Sequence, residues 1–321
     1  MGLVAGDRVD PRIFGALHEG RIQVDYFHSS GASRTAVFKT TAVQTRSGMG
    51  ATLSAALSTF SSAHLSHIGL VRTGNEDSAL ISPTLIAVAD GMGGHAGGEV
   101  ASSIAISALA SLANNFSDLD SESREDLLLN VIFDIDDQLV TISQERPELS
   151  GMGTTLTALA LDSEKNQVQL LHVGDSRCYS WDAKKKALTQ LSIDHTVMQE
   201  LLQQGRLTPE EIIDHPQRSL LTQALVGDSG IDPVLQVFPA KAGQHFLLCS
   251  DGLSSVLTDL EMAKIISAAK GGDVVGALLD ATLAAGAPDN VTIIWAKIDE
   301  GAASQGTALI GAADESGGDH E

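Results

Sequence analysis

Cysteine is scarce in this sequence: Cys178 and Cys249 are the only two among 321 residues, and both lie inside apolar runs. Two distant cysteines make neither a disulfide framework nor a zinc site, which points to a reducing compartment. No apolar run reaches about 18 residues, so no membrane-spanning helix is expected. The opening MGLVAGDRVD lacks the basic and apolar regions of a secretory signal. Gly6 stands where a myristoylation signal would want Ser or Thr. Basic residues are also few: 20 Lys and Arg against 41 Asp and Glu give a formal charge of −21. That balance suits neither nucleic acid nor an anionic membrane surface. The expectation is a cytoplasmic protein with no nucleic-acid partner and no membrane insertion.

What is present is an ordinary globular composition, 43% hydrophobic and 19% charged, in a chain long enough to bury a sizeable core without staples. Three regions differ in texture. Residues 1–62 are slightly basic, rich in Ser, Thr, Ala and Gly, and weakly patterned, which reads as a flexible extension or as a small docking or regulatory segment. Residues 63–299 alternate short apolar runs with turn residues. Residues 300–321 are Gly, Ala and acid, and read as a disordered acidic tail. Within the middle region the expected strands are 67–71, 78–81, 85–89, 154–162, 167–173, 177–182, 245–249 and 291–298. Helices are expected over 98–115, 122–144, 196–204, 208–214, 258–270 and 273–285. Several strands follow one another through short turns. The pattern therefore predicts an α+β fold, with antiparallel sheets and helices packed outside them in layers, rather than a doubly wound parallel sheet.

Carboxylates recur at strand ends. LIAVADGMGG carries Asp90 and Gly91, LLHVGDSR carries Asp175, and FLLCSDGL carries Asp251. In APDNVTIIW, Asp289 precedes its strand, and HIGLVRTGNEDSAL puts Arg72, Glu76 and Asp77 in a turn. Any one of these acids reads equally well as a turn former, since Asp-Gly after a strand is common turn chemistry. Taken together they suggest several carboxylates held at one end of a sheet, where they would repel and take up protons unless cations intervened. Hard oxygen donors without a Cys or His cluster favour Mg²⁺ or Mn²⁺ over Zn²⁺. Two such ions about 3.5–4 Å apart can activate a shared water and direct it at phosphorus. Arg72 reads as a bidentate grip on a phosphoryl group or as an ordinary surface arginine. The glycine-rich DGMGGHAGGE lacks the Gly-Lys-Ser/Thr ending of a nucleotide P-loop. Its His95 reads as a proton donor to a leaving alkoxide or as a packed loop histidine. Other phosphate chemistries do not fit. Cys178 and Cys249 have Lys184 and Ser255, not Arg, six residues on, and Asp134-Ile-Asp136 is not followed by the Thr of an aspartyl-phosphate motif.

The segments VRTGNEDS, VADGMGGHAGGEVAS, GMGTTLTAL, HVGDSRCY, DHTVMQELLQQG, HPQRSLLTQALVG, LCSDGLSSVL and APDNVTIIW stand in the order and spacing of a known family. The chain resembles the bacterial branch of the metal-dependent Ser/Thr protein phosphatases, type 2C, over residues 66–298. The resemblance implies a four-layer αββα sandwich, two antiparallel sheets flanked by helices, with a metal centre at one end. It implies Asp90 as bridging ligand, Gly91 through its carbonyl, and Asp251 and Asp289 as further ligands of two Mn²⁺ or Mg²⁺ ions. Glu76 and Asp77 would act there partly through water, and Asp175 with Asp251 would hold a third, weaker ion. Arg72 matches the phosphate-binding arginine, and residues 194–227 match a flap over the cleft. The family's eukaryotic members place a histidine directly after Asp-Gly as general acid. Here Met92 takes that place and His95 follows three residues later, which leaves the acid open. The implied activity is hydrolysis of phosphoserine and phosphothreonine in protein substrates by a metal-bridging water, in opposition to a cognate Ser/Thr kinase. A catalytically silent binding module of the same fold, or a phosphatase of small phosphoesters, are the alternatives.

Overall fold

The computed structural model describes residues 23–25, 37–39 and 58–314, the last span without 94–95, 115, 117–118, 209–210, 212–214, 216, 218–219, 228–229, 232, 270–271 and 302–304. The chain divides into two units, Met1–Leu53 and Ser54–Glu321. In the first, the described residues form one antiparallel strand pair, β1 (Gln23–Asp25) and β2 (Val37–Lys39).

The second unit begins with β3 (Ser58–His67), β4 (Asp77–Ile81) and β5 (Leu85–Met92), followed by helices α1 (Gly97–Ala113) and α2 (Ser121–Glu145). Next come β6 (Gly153–Thr154), β7 (Leu156–Asp162), β8 (Gln167–Val173), β9 (Arg177–Asp182), β10 (Ala187–Gln190) and the short α3 (Val197–Gln203). The rest is β11 (Leu235–Pro239), β12 (His245–Cys249), α4 (Asp251–Ser254), α5 (Asp259–Ala268), α6 (Val274–Ala284), β13 (Val291–Glu300) and β14 (Ala308–Gly311). One sheet has the order β10-β9-β12-β13-β3. The other runs β11-β8-β7-β5-β4-β14, with β6 on β5. Every strand pairing in both sheets is antiparallel.

The apolar runs are continuous because each central strand is covered on both faces. Successive side chains of a strand point to opposite faces, so one run feeds two cores. On β5, Leu85, Ala87 and Ala89 pack with Ala105, Ile106 and Leu109 of α1 and with α2, whereas Ile86 and Val88 face the other sheet. On β12, Phe246 and Leu248 enter that inter-sheet core, while Leu247 and Cys249 pack with Met262 of α5 and Leu278 of α6. Three cores between four layers make the αββα sandwich. Each fully buried Leu or Ile contributes roughly 1.5–3 kcal/mol of transfer free energy. Local chemistry starts the helices: Asp120 caps α2 by accepting from Ser123 N at 2.8 Å. Thr258 and Glu261 form a reciprocal capping box on α5.

Three expectations are corrected. The strand expected at 67–71 lies earlier: β3 ends at His67, Gly69 turns at φ +81°, and Leu70 and Val71 are exposed. The boundary at 62 moves back to Ser58, because Phe60 is buried in the inter-sheet core and residues 58–62 pair with β13. Apart from β1, β2 and residues 58–62, the expected flexible extension lies outside the described residues. The tail expected to be disordered from 300 contains β14, which covers the open edge of β4. There Leu309 packs on the α1–α2 core, Ile310 on the inter-sheet core, and Ala313 is buried. The Gln305 side chain exchanges two hydrogen bonds with the Ser62 backbone, both 2.8 Å. The helix expected over 208–214 lies largely outside the described residues. Among the described residues, no helix is long and apolar enough to cross a membrane.

Candidate active site

Strand register gathers the expected acids at one end of the sandwich. Asp77 opens β4 directly opposite Asp90 near the end of β5. Asp175 lies in the turn joining β8 to β9. Cys249 pairs with Ile293, so Asp251, just after β12, and Asp289, just before β13, leave the other sheet at the same end. The result is a cavity of about 330 Å³ whose wall includes Arg72, Glu76, Asp90, Gly91, Asp175, Asp251 and Asp289. Asp77 lies behind that wall. It is 1% exposed, with Oδ2 accepting from Ser250 Oγ at 2.7 Å and Oδ1 buried without a hydrogen-bond partner. His95 is outside the described residues.

Backbone contacts hold this arrangement. Gly91 N donates to Glu76 O at 3.1 Å, and a Cβ on Gly91 would sit 2.1 Å from the carbonyl oxygen of Gly98, so only glycine fits. A Cβ on Gly98 would lie 2.9 Å from Glu76 Oε2, which places that carboxylate against the first turn of α1, where it is favoured by the helix dipole. Asn290 fastens the turn from β3 to β4. Its Nδ2 donates to Ile68 O and Gly74 O, both at 2.9 Å, and its Oδ1 accepts from Glu76 N at 2.8 Å. Thr155 Oγ1 accepts from Asp90 N at 3.0 Å and shares a 2.8 Å bond with Ser176 Oγ, linking the Asp90 and Asp175 turns. Asn290, Thr155 and Ser250 were not singled out from the sequence. The Asn of APDN and the paired Thr of GMGTT stood in quoted segments, but buried hydroxyls and amides reveal their partners only across a sheet.

Electrostatically the cavity is under strain from like charges. Burial, with the charges of Asp251 and Asp289 added, pushes Asp77 up to about 7. Burial, then Asp251 and Asp194, pushes Asp175 up to about 7. Asp90 is raised well above the carboxylate range by burial and then by Asp77, Asp251, Asp175 and Asp289. Asp251 is raised by burial and Asp289, offset by a hydrogen bond with Asp90. Burial also raises Glu76. Arg72 supplies the counter-charge, its Nη2 lying 2.7 Å from Asp289 Oδ2 at the half-exposed rim. Among the described residues, no group of three Asp, Glu, His or Cys side chains is drawn in tightly enough to hold an ion as it stands. Among the described residues the donor set is nevertheless one for hard divalent cations, its acids and the Gly91 carbonyl offering oxygen with no Cys or His beside them on the wall.

The expected flap over 194–227 is rooted beside this wall. Asp194 takes a bidentate grip from Arg177, with Nη2 to Oδ2 at 2.6 Å and Nε to Oδ1 at 3.0 Å. His195 N donates to Gly174 O, and Gly174 N donates back to His195 Nδ1. Leu221 lines the cavity, and Leu225 exchanges backbone bonds with Thr154.

Comparison with known proteins agrees with this architecture. The family model for protein phosphatase 2C matches residues 74–276, and the chain belongs to that family. Within it, the serine/threonine protein phosphatase PstP of Mycobacterium tuberculosis is 42% identical over 233 residues, which are 72% of this chain and 43% of PstP. This chain thus spans under half of that relative's length. The serine/threonine phosphatase stp of Listeria monocytogenes is 31% identical over 72% of this chain and 93% of its own length. A solved structure of the PstP catalytic domain in complex with two manganese ions superimposes with a TM-score of 0.68 at 37% identity, covering 76% of this chain and all of that one.

Proposed function

We propose that this chain is a metal-dependent phosphoprotein phosphatase that hydrolyses phosphoserine and phosphothreonine. The observation that carries the reading is the convergence of acids from five separate segments on one cavity with an arginine at its rim, in a chain of the protein phosphatase 2C family. The orphaned Asp77 Oδ1, the raised carboxyls and the oxygen donors of the wall fit a pair of Mn²⁺ or Mg²⁺ ions. Asp90, the Gly91 carbonyl, Asp251 and Asp289 would hold them, with Glu76 and Asp77 acting partly through water, and Asp175 with Asp251 would offer a third, weaker site. When bound, the ions supply charge neutralisation, polarisation of phosphoryl oxygens and an activated water.

The chain's own residues do the rest. Arg72, paired with Asp289 at 2.7 Å, carries a guanidinium that would grip two phosphoryl oxygens at the rim once that pair is exchanged for a phosphoryl group. The Thr155–Ser176 link and the Asn290 bonds fix Asp90 and Glu76 before substrate arrives, so little reorganisation is needed in the reaction. Met92, next to Gly91, has no proton to give, and His95, three residues further along the sequence, is the candidate for donation to the leaving alkoxide. A cognate Ser/Thr kinase as opposing partner and a cytoplasmic location complete the proposal.

The test is phosphate release from a phosphothreonine peptide with EDTA, Mg²⁺ or Mn²⁺, for the wild type and Asp251→Ala. Metal-dependent release abolished by the substitution supports the reading. No release from folded protein under any metal rejects it in favour of a binding module.

A further inference from the structure

We propose that the end of the sandwich remote from the carboxylate cavity carries a docking groove for an acidic segment of the phosphoprotein substrate. Its use in substrate choice rests on the phosphatase reading, but its binding chemistry does not. Two strands connect the two ends. β9 starts at Arg177 beside the cavity and ends at Asp182 in the groove, and β12 runs from His245 in the groove towards Asp251. Five residues of strand separate the ends by roughly 17 Å at about 3.3 Å per residue.

The groove holds about 740 Å³, more than twice the 330 Å³ of the carboxylate cavity. Its walls come from the β9–β10 turn with Lys184, from the β11–β12 turn with Lys241, and from Trp181 and His245. Lys185 and Lys186 share the first turn, and Lys297 pairs across the sheet with His245. Five of the chain's 20 basic residues therefore collect here, in a protein of net charge −21. The nearby acids are already engaged. Asp182 accepts from Lys184 N at 2.9 Å and Lys185 N at 3.0 Å and pairs with Lys185 Nζ at 3.7 Å, while Asp299 pairs with Lys297. Among the described residues, Lys184, Lys186 and Lys241 have no ion partner, as is true elsewhere of Arg206 and Lys264, whereas Arg72, Arg124, Arg146, Lys165 and Arg177 are paired. An acidic chain that leaves three lysines unpaired around one concavity keeps a local anion-attracting field.

The shape selects the ligand. Of the lining side chains, Trp181 meets Trp295 edge to face at 6.3 Å and His245 stacks on Trp295 at 5.1 Å, which gives the cationic rim an aromatic wall braced from behind. A concavity of this kind admits an extended peptide with carboxylates at its edges. A bilayer needs a convex or flat face and would meet the −21 charge of the rest of the molecule. A substrate held here reaches the cavity only when its acidic stretch lies at least about five residues from the phosphorylated residue, given about 3.3–3.6 Å of reach per residue. Tethering then raises the effective concentration of the phosphoryl group.

The experiment has two arms. The first measures binding of a fluorescent, unphosphorylated Asp/Glu-rich dodecapeptide by anisotropy at low salt, for the full chain and for the double variants Lys184→Glu/Lys241→Glu and Lys184→Gln/Lys241→Gln. Salt-sensitive binding weakened at least tenfold in both variants is expected. The second compares phosphothreonine peptides with and without an acidic stretch ten residues away. A three- to thirtyfold kcat/KM advantage for the acidic peptide is expected in the wild type and lost in the variants, with hydrolysis of a small aryl phosphate unchanged. Equal peptide binding by wild type and variants overturns the proposal. So does lysine-dependent binding of phosphatidylglycerol vesicles without peptide binding, or the absence of any kcat/KM advantage. If the aryl phosphate is not hydrolysed at all, the phosphatase reading fails, while the anisotropy arm still decides the groove.

Discussion

The two ends of the sandwich are made from the same parts, strand ends and tight turns, yet they are built on opposite principles. At the carboxylate end the turns are locked to each other. Gly91 touches Gly98, Asn290 binds Ile68, Gly74 and Glu76, and Thr155 bridges to Ser176. At the lysine end the turns are tied by a few local bonds, such as Gly243 N to Ile298 O at 2.7 Å and Lys184 N to Asp182 at 2.9 Å, and are otherwise open to solvent. A Cβ on Gly243 would meet nothing within 4 Å, and Lys184 and Lys241 are exposed. The contrast follows from charge density. Several buried carboxylates repel by kcal/mol amounts, so the backbone under them must be over-determined, whereas solvated lysines on a turn need no such frame. Function at the first end is carried at the expense of stability, and at the second it is not.

The largest effect that sharpens this contrast is a split one. Asp251→Ala is expected to lower metal-dependent phosphate release at least a thousandfold, about 4 kcal/mol in transition-state stabilisation. The same variant in EDTA should melt no lower than the wild type, because one repelling charge is gone. Calorimetry beside the assay checks both, and a variant that merely unfolds would defeat the argument. Next in size is Gly91→Ala, expected to cost about 3 kcal/mol in urea denaturation, since the added carbon overlaps backbone that cannot yield. Gly243→Ala, at φ +80° but in open space, should cost only about 1 kcal/mol. Equal costs at the two glycines would break the comparison.

Stability against pH tests the same idea without the active site turning over. Asp77 and Asp175 are pushed up to about 7 in the folded chain, against about 3.9 for an unfolded aspartate. A group raised in this way stabilises the fold fully below its unfolded value and loses that contribution as pH rises through the folded value. The metal-free protein should therefore lose a few kcal/mol between pH 4 and pH 8. Asp175→Asn should flatten the slope, and Mn²⁺ should restore stability most at the alkaline end. Thermal melts in EDTA and in Mn²⁺ across that range decide it. A metal-free melting temperature that climbs towards pH 8 would contradict the raised carboxyls.

The sequence disclosed the acids better than their supports, for a physical reason. Asp90, Asp175 and Asp251 each end an apolar run and Asp289 precedes one, so strand periodicity alone brings them to strand ends. The ordered motifs then state which ends meet. Asn290, Thr155 and Ser250 act through partners in other strands, and no local pattern announces such bonds. The fold was legible where strands are central and doubly covered, as in β5, β7 and β12, because their runs are long and apolar. It was illegible at the edges. β10, β11 and β14 are short and partly exposed, and the first five residues of β3, STFSS, carry one apolar side chain. Edge strands take their order from a neighbour rather than from their own composition.

The tail gives the smallest and most local test, because it is an edge element that touches the carboxylate end. β14 lies antiparallel on β4, and Ala312 N donates to Asp77 O at 2.7 Å. Gly311, at φ +75°, brings the chain so near that a Cβ would lie 2.2 Å from the same oxygen. Deleting residues 301–321 exposes the β4 edge and uncovers Leu309, Ile310 and Ala313 contacts, which are modest in area, so about 2 kcal/mol of stability should be lost. If β14 were only an edge cover, the loss would leave Mn²⁺ affinity unchanged. Its bond to the Asp77 backbone argues otherwise: the truncated chain should also bind Mn²⁺ several-fold more weakly by calorimetric titration, while the Asp/Glu-rich peptide binds as before at the far end. Equal weakening at both ends would mean that the two ends are not independent, and that general loosening of the sandwich rather than support of Asp77 is what the tail prevents.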